Sequence, residues 1–85
     1  MTMRTWELTD ETIEAFSRDD IKTWMDRIMR RLYTSVKDKS IYNNIASKLV
    51  LAARKSLSEL KSVLIKAVSL IKEARQNHDH LMVVN

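Results

Sequence analysis

Glycine and proline are both absent from this sequence. Glycine is the residue that enters left-handed turns most readily, and proline is the residue that interrupts helices. Tight β-hairpin turns favour glycine or asparagine at positive φ, and Asn43 with Asn44 is the only pair of adjacent asparagines in the chain. These absences nearly exclude an all-β fold. We therefore predict an all-α protein.

Cysteine is absent as well, so disulfides and thiolate chemistry are excluded and a reducing compartment is the expected location. Four acidic side chains lie between positions 7 and 14, where an export signal would carry an apolar run. The longest uninterrupted apolar stretch is residues 49–53, which is far too short to span a bilayer. We expect a cytoplasmic protein without a membrane partner.

Helix start signals are clear in the first part of the chain. Thr9 is a predicted N-cap, because carboxylates follow it where they meet the positive end of a helix dipole. The first helix is predicted over residues 10–16. Ser17 and Asp20 have the spacing of a capping box and predict the start of a middle helix. After a polar connection at residues 37–39, Ser40 is the predicted cap of the next helix.

Residues 41–76 keep a single helical phase. The positions of this phase step by four and three residues, as in a heptad repeat: Ala46, Val50, Ala53, Leu57, Leu60, Leu64, Ala67, Ile71 and Ala74. We prefer one continuous helix, because apolar phase rarely survives a turn. The alternative is a break near Ser56, since Ser56 and Glu59 also have capping-box spacing.

The apolar face of this helix is wider than a two-stranded coiled coil needs. A continuous helix would outreach the shorter helices before it, so we predict self-association into a larger bundle. With a break at Ser56, the same residues would close a compact bundle within one chain. The predicted architecture is a single helical domain over residues 1–85, with a short N-terminal helix, a middle helix and a long C-terminal helix. Residues 77–85 are a candidate flexible tail.

Nothing in the sequence indicates a catalytic or cofactor site. His78, Asp79 and His80 resemble metal ligands, but no further histidine or cysteine exists to complete a site. The lack of glycine also excludes phosphate-cradling loops of the usual kinds. We expect no enzymatic activity, no cofactor, no metal and no small-molecule substrate.

By elimination, the first functional hypothesis is a small interaction protein, such as an adaptor, an inhibitor or an assembly subunit. It would bind a protein partner, or a second copy of itself, by helix packing. The residues predicted to contact the partner are the large apolar residues of the long helix and one N-terminal indole: Leu57, Leu60, Leu64, Ile71 and Trp6.

The alternative hypothesis is nucleic-acid binding. The formal net charge is +4, and residues 44–76 hold seven basic side chains against two acidic ones, whereas residues 1–36 hold six against seven. Rows of cations interleaved with serine could follow a phosphate backbone. The predicted contacts are Arg27, Arg30, Arg31, Lys48, Arg54, Lys55, Lys66 and Lys72.

Overall fold

A computed structural model describes the backbone of residues 3–84 and the side chains of residues 3–77. This part of the chain forms a 3-10 turn at Thr5–Glu7 and four helices: α1 (Asp10–Glu14), α2 (Arg18–Ser35), α3 (Lys39–Ala53) and α4 (Leu57–Val84). It contains no strand. The prediction of a small all-α bundle is confirmed, and self-association stays a prediction.

Both predicted caps in the first part of the chain are present. The Thr9 hydroxyl accepts a hydrogen bond from the Thr12 backbone N–H at 3.1 Å. The Ser17 hydroxyl accepts from the Asp20 N–H at 3.1 Å, and the Asp20 carboxylate accepts from the Ser17 N–H at 2.9 Å. These bonds satisfy backbone donors that a helix start leaves free. Helix α1 ends at Glu14, two residues earlier than predicted.

The predicted cap at Ser40 is wrong, because Asp38 caps α3 instead. The Asp38 carboxylate accepts from the Ser40 backbone N–H at 2.9 Å and from the Ser40 hydroxyl at 2.7 Å. These two hydrogen bonds lower the pKa of the Asp38 carboxyl, since they stabilise its charged form. A carboxylate accepts more hydrogen bonds than a hydroxyl and also favours the positive end of a helix, so α3 begins directly after Asp38.

The preferred expectation of one continuous helix over residues 41–76 is also wrong. Helix α3 ends at Ala53, and α4 begins at Leu57 and packs against α3 as an antiparallel hairpin. The alternative break near Ser56 is confirmed, and the Glu59 N–H donates to the Ser56 hydroxyl at 3.2 Å. The break lets the broad apolar face be covered within one chain. Helix α4 extends to Val84, beyond the end predicted near residue 76.

The break also changes which face of α3 is buried. The buried residues of α3 are Ile45, Leu49 and Ala52, each one position before a residue of the predicted heptad phase. Val50 belongs to that phase but is 59% exposed, and Ala53 is exposed too. In α4 the predicted phase holds, because Leu64, Ala67 and Ile71 are buried. The turn at residues 54–56 therefore rotates the apolar stripe by one residue, about 100° around the helix.

One continuous cluster of buried side chains lies between α2, α3, α4 and the N-terminal segment. Helix α4 contacts every other element, and the segment of residues 5–14 packs against α4. Outside the hairpin, the cluster consists of Leu8, Ile13, Phe16, Ile21, Ile28, Met29 and Leu32. The side chains of His78, Asp79 and His80 and the predicted tail at residues 77–85 lie largely outside the described residues, so flexibility of the tail stays a prediction.

Lysine ammonium groups act at helix ends where glycine would ordinarily terminate a helix. The Lys39 ammonium donates to the carbonyl oxygens of Tyr33 and Val36, at the end of α2. The Lys61 ammonium of α4 donates to the Glu14 carbonyl at 2.6 Å, at the end of α1. Cations at helix C-termini oppose the negative end of the dipole. Lys61 thereby links the N-terminal segment to α4.

Candidate nucleic-acid interface

Trp6 lies half-buried in the 3-10 turn, against the core. The turn is closed by two hydrogen bonds: the Arg4 N–H donates to the Glu7 carboxylate at 2.8 Å, and the Glu7 N–H donates to the Arg4 carbonyl at 2.9 Å. Thr5, inside the turn, is buried. These contacts fix the indole ring beside α2 and α4.

Three guanidinium groups surround this one indole. Their central carbons lie 5.4 Å (Arg4), 4.6 Å (Arg31) and 4.1 Å (Arg75) from the Trp6 ring centroid. The arginines come from the N-terminal segment, α2 and α4, so the tertiary fold brings them together. A cation over an exposed aromatic ring gains about 0.5–1 kcal/mol, which offsets part of the mutual repulsion of the three charges.

Among the side chains of residues 3–77, no carboxylate forms an ion pair with the three arginines at Trp6. Among residues 3–77, the one ion pair joins the Arg30 side chain to the Asp26 carboxylate at 3.2 Å, and both side chains are largely exposed. The acidic side chain closest in sequence to Arg4 is Glu7, whose carboxylate accepts a hydrogen bond from the Arg4 backbone N–H at 2.8 Å. Within residues 3–77, the three arginines and the Glu7 carboxylate together carry a net positive charge, which favours an anionic ligand.

An open groove of about 540 Å³ runs beside Trp6. We name it the arginine–tryptophan groove, and its lining residues are Met3, Arg4, Thr5, Trp6, Trp24, Arg27, Arg30, Arg31 and Thr34. Its second indole, Trp24, stacks on Phe16 with ring centroids 6.2 Å apart, and the Arg27 guanidinium lies 5.2 Å from the Trp24 centroid. Each indole of the groove thus holds at least one arginine in place.

A smaller depression of about 310 Å³ adjoins the groove. Its lining residues are Arg31, Thr34, Ser35, Ile71, Ala74 and Arg75. Because Arg31 and Thr34 line both cavities, the groove and the depression are adjacent. The Thr34 hydroxyl donates to the Arg31 carbonyl at 3.0 Å, so this hydroxyl can only accept from a ligand.

Comparison of the chain with protein-family models, curated proteins and solved structures found no match. The chemistry of the groove is therefore inferred from its own side chains.

Three of the predicted nucleic-acid contacts, Arg27, Arg30 and Arg31, line the groove. The others lie elsewhere. Lys48 is exposed within α3, and Arg54 and Lys55 are exposed in the turn after it. On α4, Lys66 is exposed and Lys72 is half-buried. Sequence reasoning missed Arg4 and Arg75. Each stands alone in the sequence, and only the fold places both at the Trp6 ring.

The residues predicted to contact a protein partner are mostly internal. Leu64 and Ile71 lie in the core with 0% and 1% exposure, so a partner on the folded chain does not reach them. Leu57 and Leu60 are half-buried against the same core. Trp6, the fifth predicted residue, lines the groove. The most exposed large apolar side chains of α3 are Val50 and Leu51, each 59% exposed, and Ile41 is 37% exposed.

Two further properties of the described residues concern other kinds of site. No three histidine, cysteine or acidic side chains among residues 3–77 are grouped so that they could hold a metal ion. Over the same part of the chain, no helix has the length and apolar character that crossing a bilayer requires.

Proposed function

We propose that this chain binds nucleic acid through the arginine–tryptophan groove, with its guanidinium groups contacting phosphates. The observation that carries the proposal is the gathering of Arg4, Arg31 and Arg75 around one indole, where no side chain of residues 3–77 forms an ion pair with them. Guanidinium is planar and always charged, and it pairs with phosphate through two parallel hydrogen bonds. Backbone phosphates supply most of the affinity of nucleic-acid binders that lack sequence preference.

The indoles restrict the arginine side chains of the groove. Arginine side chains lose rotamer freedom when they bind a ligand, and that loss weakens binding. Here Arg31 is already held at 4.6 Å from the Trp6 centroid and Arg27 at 5.2 Å from the Trp24 centroid. Less freedom remains to be lost, so a phosphate meets donors that are close to their bound positions.

The same packing favours recognition of phosphates over bases. Proteins that stack nucleobases present free aromatic faces. Trp24 already stacks on Phe16 and contacts Arg27, while Trp6 carries three guanidinium groups. The groove therefore offers cations more than open rings, and we expect binding with little sequence preference.

The proposal is tested by fluorescence anisotropy with a short labelled oligonucleotide, single-stranded and duplex, at increasing salt. Binding through phosphates releases counterions, so affinity should fall steeply between about 50 and 200 mM salt, with a logarithmic slope of roughly −0.7 per contact on single strands. Absence of binding at low salt would overturn the proposal. Affinity that does not change with salt would also overturn it.

Two matched double variants locate the contact surface. Arg27→Gln with Arg31→Gln removes two charges from the groove, and Arg54→Gln with Lys55→Gln removes two from the α3–α4 turn. We expect the groove variant to bind about tenfold more weakly or worse, with the salt slope reduced by roughly 0.7 for each lost contact. The turn variant should change affinity much less. Equal losses would mean that the overall charge binds, and not the groove.

A second function, binding to another protein, is favoured by a different observation. Val50 and Leu51 are exposed apolar neighbours on α3, and the basic side chains of Lys48, Arg54 and Lys55 surround them in sequence. This pattern fits an amphipathic helix of a partner protein whose apolar face is bordered by carboxylates. A second copy of this chain fits less well, since an isologous contact would bring like charges together.

This second function can be tested with a designed helical peptide that has leucine on one face and glutamate along its borders. NMR titration should shift the Val50 and Leu51 methyl signals, and binding should persist at high salt because apolar burial drives it. Leu51→Ser should weaken the complex. Titration without shifts at these methyl groups would contradict the assignment.

A further inference from the structure

The depression next to the groove differs from it in shape and in chemistry. It is the smaller of the two cavities, and two guanidinium groups, those of Arg31 and Arg75, belong to its wall. Ser35 adds a hydroxyl, and Ile71 and Ala74 supply an apolar surface. Two bidentate cations beside a hydroxyl donor are the groups that a compact, multiply charged oxyanion needs.

The charge at this position exceeds what one backbone phosphate supplies. A phosphodiester within a strand carries a single negative charge, whereas a terminal phosphomonoester carries about −1.5 to −2 at neutral pH. Arg31 and Arg75 both line the depression, and their guanidinium carbons lie 4.6 and 4.1 Å from the Trp6 centroid, so the depression carries two positive charges. The depression is matched in charge to a monoester better than to a diester.

We infer that the depression binds the terminal phosphomonoester of a nucleic-acid strand whose backbone lies in the arginine–tryptophan groove. This inference rests on the proposed function and names the part of the ligand that the depression takes. The groove and the depression share Arg31 and Thr34, so the end of a strand that lies in the groove is next to the depression.

The end of α2 lies at the depression, and its dipole would by itself repel an anion. Ser35 is the last residue of α2, and helix C-termini carry partial negative charge. The Lys39 ammonium, however, donates to the carbonyl oxygens of Tyr33 and Val36. This cation opposes the negative end of the α2 dipole. The apolar side chains of Ile71 and Ala74 reduce the local dielectric, which strengthens attraction between charges.

The test compares one oligonucleotide in three forms: with a 5′-phosphate, with a 3′-phosphate and with hydroxyl groups at both ends. We expect one phosphorylated form to bind about tenfold more tightly than the hydroxyl form, the factor that an added charge-assisted hydrogen bond supports. The gain should shrink as the pH falls through about 6, where the monoester takes up its second proton. Inorganic phosphate should compete with the terminal phosphate for the depression. It should therefore remove the extra affinity of the phosphorylated form and leave the affinity of the hydroxyl form unchanged.

Arg75→Gln is the decisive variant, because Arg75 lines the depression, and a loss of affinity that comes from its place at Trp6 affects all forms alike and cancels in their ratio. It should bring the ratio between phosphorylated and hydroxyl forms close to one. Arg18→Gln is the matched control, since Arg18 lines neither cavity, and it should keep the wild-type ratio. Ser35→Ala is a second, more conservative test, because it removes only one hydroxyl from the depression. It should lower the ratio, but less than Arg75→Gln does. Near-ultraviolet circular dichroism checks that each variant remains folded.

The possible results separate the two proposals. If all three forms bind with equal affinity, the groove binds nucleic acid and the inference about the depression is overturned. If none of the forms binds at low salt, the proposed function itself fails. If Arg75→Gln and Arg18→Gln reduce the ratio equally, the gain comes from overall charge, which also overturns the inference.

Discussion

The two halves of the molecule use positive charge differently. Residues 44–76 hold five more basic than acidic side chains, whereas residues 1–36 are almost neutral. Most of the groove is nevertheless built by the neutral half, because its arginines converge on Trp6 and Trp24. Its carboxylates are partly engaged at helix starts, as with Glu7 and Asp20. Net charge of a segment is thus a poor guide to a binding surface, and the arrangement of the charges is a better one.

The two halves also differ in whether nearby sequence or tertiary packing determines where their helices begin. In the first half, Ser17 and Asp20 bond to each other's backbone, so a short stretch of sequence determines where α2 begins. In the second half, Ser56 accepts one bond from Glu59, but the Ser56 N–H donates to Ala52 instead of completing a capping box. The α3–α4 turn therefore depends more on the packing of the hairpin than on its own sequence signal.

The largest expected effect separates two leucines of α3. Leu49 is 7% exposed and Leu51 is 59% exposed, two positions apart on the same helix. Leu49→Ala should lower the free energy of unfolding by about 2–4 kcal/mol, since it leaves a cavity, while Leu51→Ala should cost less than about 0.5 kcal/mol. Urea unfolding measures both. Similar losses for the two variants would contradict the one-residue rotation of the apolar stripe at the turn.

The reason that sequence reasoning failed at this helix lies in residues 49–53. All five side chains of this stretch are apolar, so the end of α3 fits several helical phases equally well. The predicted heptad phase could therefore run through the turn without a visible error. Helix starts at Thr9 and Ser17 were predictable, because their signal is local and complete within four residues.

The candidate site was predictable only where it is local. Arg27, Arg30 and Arg31 have helical spacing that places them on one side of α2, and the sequence indicated this cluster. Arg4 and Arg75 are 71 positions apart and meet at Trp6 through packing of the N-terminal segment on α4. No pattern within a single helix contains that contact, so it becomes visible only in the tertiary structure.

The next expected effect compares two serines at helix starts. Ser17→Ala removes the hydroxyl of a complete capping box and should lower the free energy of unfolding by about 1 kcal/mol. Ser40→Ala should lower the free energy of unfolding by only a few tenths of a kcal/mol, because the Asp38 carboxylate still accepts from the Ser40 backbone N–H. Thermal and urea unfolding of both variants give the comparison. A larger loss for Ser40→Ala would show that its hydroxyl, and not Asp38, is the dominant cap of α3.

A smaller effect concerns the contact that joins the two halves. Lys61→Met keeps the aliphatic length of the side chain but removes the ammonium that bonds to the Glu14 carbonyl. We expect a loss of about 0.5–1 kcal/mol, typical of a cation at a helix C-terminus. Lys55→Met is the control, because Lys55 is exposed in the α3–α4 turn. Equal stability of the two variants would mean that the bond to α1 contributes nothing.

The smallest effect depends on pH and distinguishes the α2–α3 junction from the α3–α4 turn. Hydrogen bonds from the Ser40 hydroxyl and N–H lower the pKa of Asp38 in the folded chain. The carboxylate therefore contributes stability that is present above its unfolded pKa and is lost as the pH falls through the folded pKa.

Asp38→Asn removes this charge and keeps a capping side chain. The stability difference between wild type and this variant should stay constant above about pH 5 and shrink below about pH 4, where an unfolded aspartate becomes protonated. Urea unfolding across this range measures it, and a difference that does not vary with pH would contradict the charged cap. Ser56, the cap of α4, carries no titrating group, so Ser56→Ala should show a loss that acid leaves unchanged. Acid should then weaken the junction between α2 and α3 while the α3–α4 turn keeps its cap.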